Sequence, residues 1–182
     1  KSYSQNMFKS ISNNFLRLHV VANSDSTEDQ ILKYKIRDAV IDYMKPYFSN
    51  INTKNDALNI LNLQKNNIND LATKIATENG YNYPVNVSIG NFYFPTKEYS
   101  EIILPEGYYD ALKIELGNAK GQNWWCVLFP AMCLPAAEKR EGMPELDDVL
   151  TDEQMSAVEG NQYEVKFKTV EIYESIKSWF GW

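Results

Sequence analysis

Hydrophobic and polar positions along the chain change period several times. Leu16 to Ala22 (LRLHVVA) is a continuous apolar run rich in β-branched residues, closed by the polar stretch Asn23-Ser24-Asp25-Ser26. That pattern predicts a buried strand ending in a turn. Thr27 with Gln30 has the form of a capping box and predicts a helix from about Glu28. Leu32, Ile36, Ala39, Val40 and Tyr43 supply its apolar stripe, and Pro46 is expected to close it. Thr53 and Asp56 predict a second helix start. Leu61, Ile68, Leu71 and Ile75 keep helical spacing up to Gly80, the expected left-handed C-cap. The Asn-rich middle of this segment suggests a break near Asn66.

From Pro84 the period becomes two. Val85, Val87 and Ile89 alternate with Asn86 and Ser88, and the phase then slips before Phe92 and Phe94, which suggests a bulge at Gly90. Leu112, Ile114 and Leu116 alternate with Lys113 and Glu115 as in a half-buried strand. Trp124 to Phe129 (WWCVLF) is apolar on both faces, so a central strand is expected, joined to the preceding one as a hairpin through Asn118 to Gln122. Pro135 to Asp148 reads as a surface loop, and Thr151 with Gln154 opens a short helix. Val165, Thr169, Ile172, Ile176 and Trp179 favour a terminal helix, although Tyr163, Val165 and Phe167 also alternate. The expected fold class is α+β, in the order β-α-α-β-β-β-α, with a mainly antiparallel sheet and helices packed on one face. Residues 1–14 are expected to be a flexible remnant behind an absent signal or anchor, and 15–182 a single domain.

Composition narrows the function. The net charge of −6, with no Lys/Arg stripe, argues against nucleic-acid binding. No apolar run approaches the roughly 20 residues that a spanning helix needs. The chain has one histidine, His19, and two cysteines, Cys126 and Cys133, too few for a Cys/His zinc site, and no motif calls for a metal or cofactor. Any hydrolytic triad would have to use His19, whose ordinary reading is a half-buried, hydrogen-bonded strand residue.

Asn23, Ser24, Asp25 and Asp29 gather at the strand-to-helix turn, with Arg37 two turns along the helix. Capping is a sufficient reason for acids there; the sharper reading is a recognition edge or a weak cation site. Gly117-x-x-x-Gly121 lacks the Lys-Ser/Thr ending of a phosphate loop and reads as turn chemistry. The acids at 138–148 read as solvated surface. Cys126 and Cys133 flank Phe129-Pro130, and a chain reversal there would let them pair. Two buried thiols or a redox pair are the alternatives. Trp124 and Trp125 must point to opposite faces of their strand, one into the core and one free to anchor a partner. Chemistry alone therefore nominates His19, Asn23, Ser24, Asp25, Asp29, Arg37, Trp124 and Trp125 as partner-binding residues, and no catalytic centre.

Five stretches in fixed order resemble one family. They are LHVVANSDS (Leu18 to Ser26), DQ…K-x-K-I-R-D-A-V (Asp29 to Val40), F-P-T-K-x-Y (Phe94 to Tyr99), L-P-x-G-x-Y-x-A-L (Leu104 to Leu112) and G-x-A-x-G-x-N-W-W-C-V-L-F-P-x-M-C (Gly117 to Cys133). Together they resemble stage II sporulation protein R of endospore-forming bacteria; Pro135 to Val158 carries none of that signature. The resemblance implies a protein exported into the space between the forespore and mother-cell membranes. There it would switch on a membrane-embedded aspartic protease of the mother cell, which removes the pro-sequence of sporulation sigma factor E. It also implies an oxidising location, which favours a Cys126–Cys133 disulfide. The competing reading is a cell-envelope hydrolase using His19 with Asp25 or Asp29.

Overall fold

The computed structural model describes residues 3–99, 102–133 and 145–159. Its elements are α1 (Tyr3–Ser12), β1 (Leu16–Val21), α2 (Thr27–Phe48), α3 (Lys54–Glu78), β2 (Val85–Phe94), β3 (Lys97–Glu98), β4 (Ile103–Leu104), β5 (Gly107–Leu116), β6 (Asn123–Phe129), α4 (Leu146–Val149) and α5 (Asp152–Val158). The class is α+β, as expected. The expected terminal helix and most of the 135–148 loop lie outside the described residues.

Four strands form one sheet in the order β2-β5-β1-β6, and β3 pairs with β4 in a small hairpin. β5 and β6 are therefore not a hairpin. β1 lies between them, parallel to β5 and antiparallel to β6, with Leu18 opposite both Leu112 and Cys126. The central strand is β1, buried at every position, and WWCVLF is an edge strand. It is apolar on both sides because both faces of the sheet are covered, not because strands flank it.

On the first face α2 and α3 close over Leu16, Leu18 and Val20 of β1, Leu112, Ile114 and Leu116 of β5, and Cys126 and Leu128 of β6. The second face has its own cover, so helices do not lie on one side alone. Ile11 from α1, Leu104 from the hairpin and Ala157 and Val158 from α5 pack there against Phe15, Tyr109, Ala111 and Val127. The N-terminal stretch expected as a flexible remnant is helical, with Ile11 fully buried.

This double cover explains the phase slip in β2. Its pairing with β5 runs from Val85–Leu116 to Phe94–Gly107 without a bulge. Val85, Val87 and Ile89 face the long helices, whereas Phe92 and Phe94 join the second cluster. The strand stays regular while the covered face changes, and the Phe92 ring lies over Gly90, 3.2 Å from where a Cβ would stand.

Helix ends also differ from the pattern. Ser26, not Thr27, caps α2, its hydroxyl accepting from the Asp29 backbone N–H. Pro46 lies inside α2: a proline in the last turn removes little hydrogen bonding, and the extra turn buries Phe48. Thr53 caps α3 as expected, and Gly80 has φ +85°. No break occurs near Asn66, because Leu61 and Ile68 are both fully buried and hold the helix across it. Thr151 and Gln154 form the expected capping box of α5.

Candidate functional site

The β1–α2 turn is built around Asp29. Its Oδ2 accepts from Asn23 Nδ2 at 2.8 Å and Ser24 Oγ at 2.5 Å, and its Oδ1 accepts from the Tyr83 hydroxyl at 3.0 Å. Burial raises the Asp29 pKa, but the hydrogen bonds from Ser24, Asn23, Tyr83 and Ser26 outweigh it and hold the group below the ordinary carboxylate value. Tyr83 is pushed up, by burial first and by its bond to Asp29 second.

The same turn receives the β5–β6 connection, which crosses the end of β1. Asn23 Oδ1 accepts from Asn118 N at 2.9 Å, Asp25 Oδ1 from Gln122 N at 2.7 Å, and the Ala22 carbonyl from Gly121 N at 2.8 Å. A Cβ on Gly121 would stand 2.2 Å from the Ser24 carbonyl oxygen, and one on Gly117 2.2 Å from Asn23 Oδ1. The glycines permit this close crossing; they do not serve a hairpin. Asn23, Ser24 and Asp29 thus hold two turns together. Asp25 joins the same crossing but is itself exposed.

Arg37 and Trp124 meet on the α2–β6 surface. The guanidinium lies 4.2 Å from the Trp124 ring and 4.8 Å from the Tyr34 ring, and its Nη2 is 2.6 Å from Asp38. Tyr34 meets Trp124 edge-on at 5.8 Å. Trp124 is half-buried and among the described residues its Nε1 has no hydrogen-bond partner, while Tyr34 is 38% and Ile31 50% exposed. Below them Lys33 is buried, its Nζ donating to Gln30 Oε1 at 2.5 Å and to the Gln122 carbonyl at 3.0 Å. Burial, then the Arg37 charge, lowers its pKa.

His19 and Trp125 lie on the other face, stacked at 3.8 Å, with Phe94 edge-on to the indole at 5.0 Å. The His19 Nε2 is 2.9 Å from Asn123 Oδ1, and burial lowers the imidazole pKa from 6.5 to about 4. Beneath them Arg17 is wholly buried between the Phe94 and Tyr109 rings, 4.2 and 4.6 Å from its guanidinium carbon. Arg17 Nη2 donates to the Tyr99 hydroxyl at 2.5 Å, while among the described residues Nε and Nη1 find no hydrogen-bond partner.

The eight nominated residues therefore fall into three places. Asn23, Ser24, Asp25 and Asp29 form the turn, Arg37 and Trp124 share the first-face surface, and His19 and Trp125 stack on the second. His19 is bonded to neither Asp25 nor Asp29. Sequence reasoning missed Tyr34 and Ile31, although Tyr34 and Arg37 stand three apart on a helix, a spacing that places them together. It also missed Tyr83, Asn123 and Arg17. The last was legible as a charge inside an apolar strand; the other two come from distant segments. Cys126 and Cys133 are disulfide-bonded, with Cα atoms 5.8 Å apart, tying the turn after β6 back to the strand. Among the described residues no cluster of His, Cys, Asp and Glu is placed to hold a metal ion, and no helix is long and apolar enough to cross a membrane.

Comparison with known proteins agrees with the ordered motifs. The family profile of stage II sporulation protein R matches residues 12–139. Over 133 residues the chain is 37% identical to stage II sporulation protein R of Bacillus subtilis (strain 168), covering 73% of this chain and 59% of that protein. The chain thus spans about three-fifths of the length of this curated relative. No solved structure matches. The profile takes in β1, the Asp29-centred turn, the crossing glycines and the disulfide, and with the level of identity it makes the chain a member of the stage II sporulation protein R family.

Proposed function

We propose that the chain is an exported signalling protein of endospore formation. In this reading it acts between the forespore and mother-cell membranes and activates a membrane-embedded aspartic protease of the mother cell. That protease then processes the precursor of sporulation sigma factor E. Family membership supports the setting, and a disulfide suits an oxidising compartment outside the cytoplasm.

The observation that carries a binding role is the Ile31–Tyr34–Arg37–Trp124 surface. Two exposed apolar side chains flank an indole and a guanidinium that are already stacked, so little side-chain freedom is lost on contact. The polar turn, by contrast, has its side chains engaged within the fold. To switch a protease from a minor to a dominant active state, the chain must favour the active form by roughly 5 kcal/mol. The test is reconstitution of the chain with the membrane protease and the sigma factor precursor. Cleavage that depends on the chain, and that falls at least tenfold with Tyr34→Ala while the variant stays folded, supports the reading. Absence of cleavage with folded components refutes it. The hydrolase alternative finds no favouring observation, since His19 has Asn123 for its partner.

A further inference from the structure

The two edges of the main sheet are treated differently. At the β6 edge the Trp125 carbonyl accepts from the Tyr99 hydroxyl at 3.3 Å, and the Val127 carbonyl accepts from Met132 N and Cys133 N at 3.3 and 3.2 Å. The disulfide-tied turn and the Tyr99 side chain therefore cap two outward carbonyls of that edge. β2, at the other end, is ten residues long, and among the described residues nothing hydrogen-bonds to the outward groups of its backbone. Among the described residues, every second N–H and C=O along it points outward without a partner. Natural edges of such length are blunted by charge, proline or a bulge. β2 (VNVSIGNFYF) has no charged residue and no proline, and its pairing with β5 has no bulge.

We propose that β2 is the seam of a symmetric homodimer, in which two copies join antiparallel into one continuous eight-stranded sheet. The strand can pair with its own copy without setting a charge against a charge. Pairing about Ile89 sets Val85 against Tyr93 and Val87 against Asn91 on the helix-covered face, and Asn86 against Phe92 and Ser88 against Gly90 on the other. Charge does not oppose it locally, although the whole chain carries −6. Each acid of β5 and its approach that faces β2 is already engaged. Asp110 pairs with Lys54 at 2.6 Å and accepts from Asn91 at 3.1 Å. Glu115 pairs with Lys113 at 3.1 Å and accepts from Asn86 at 3.1 Å, and Glu106 accepts from the Tyr93 hydroxyl. The strand beside the seam is thus neutralised within each copy. Tyr93, 49% exposed, and Tyr108, 65% exposed, form an edge-on pair that remains open at one end of the strand for further contact.

This inference is independent of the signalling reading. It is tested by sedimentation of the full chain from low to high micromolar, joined to hydrogen exchange of the β2 amides at both ends of that range. A concentration-dependent dimer is expected, with the outward-pointing β2 amides protected only in the dimer and the inward ones, bonded to β5, protected at every concentration. Ser88→Glu should weaken association at least tenfold without lowering thermal stability. Its carboxylate faces Lys113 within one copy but lies near its own mate across the seam. A chain that is monomeric throughout with freely exchanging outward β2 amides overturns the proposal, leaving the edge to a strand of another protein. So does a dimer whose outward β2 amides stay unprotected, and the exchange result decides the matter even if the variant fails to fold.

Discussion

Replacing Asp29 with alanine isolates what joins the β1–α2 turn to the rest of the molecule. The carboxylate is buried and accepts from Asn23, Ser24 and Tyr83. Alanine leaves three half-buried donors without their shared acceptor. Hydrogen bonds to a charged group contribute about 1.5–3 kcal/mol each, but these three share one acceptor and do not add. Water can reach all three donors in part, because Asn23, Ser24 and Tyr83 are each only half-buried. The expected loss is therefore about 2–3 kcal/mol, measured as the change in unfolding free energy by urea titration. Asp25→Asn is the control: its carboxylate accepts one bond, from Gln122 N at an exposed position, and the loss should be about 1 kcal/mol or less. Acid titration gives a second handle. Because the native pKa of Asp29 is held low, its contribution is complete above the unfolded value near 3.8 and is lost as pH falls through the native value. A loss below about 1 kcal/mol for Asp29→Ala, or an acid limb unchanged by it, would refute the role given to this carboxylate.

Gly121→Ala should destabilise by about 2–3 kcal/mol, because the new Cβ meets the Ser24 carbonyl backbone and the crossing turn has to move; denaturant midpoints check this. His19 should titrate near pH 4 by NMR. Its neutral form is the native one, so the stability it lends is complete above 6.5 and falls as pH drops toward about 4, and His19→Gln should remove that part of the slope. An imidazole midpoint near 6.5 contradicts its burial. Reduction of Cys126–Cys133, with a sequence separation of 7, should lower stability by roughly 2.5 kcal/mol in the chain-entropy account and leave the fold intact, as urea curves with and without reductant will show.

Local features were legible where neighbours in sequence determine them. Thr53 as a cap, Gly80 as a left-handed stop, the Thr151–Gln154 box and the apolar run of β1 each depend on residues within a few positions. The two faces assigned to Trp124 and Trp125 follow from strand geometry alone. The family was also legible, because its motifs stand in fixed order along the chain. What tertiary structure decided was pairing and cover. Nothing local says that β1 inserts between β5 and β6; a turn such as 117–122 can serve a hairpin or a crossing, and only the contact with Ser24 and Asn23 distinguishes them. Hydrophobicity reports that a residue is covered, not by what, so an edge strand under two layers looks central and a strand covered on alternate faces looks bulged. Helix α2 passes Pro46 because Phe48 has a core to enter, which no propensity contains. The polar residues of the turn were found by their density, but their division between holding the fold and meeting a partner rests on hydrogen bonds from Tyr83, Asn118 and Gln122, all far away in sequence.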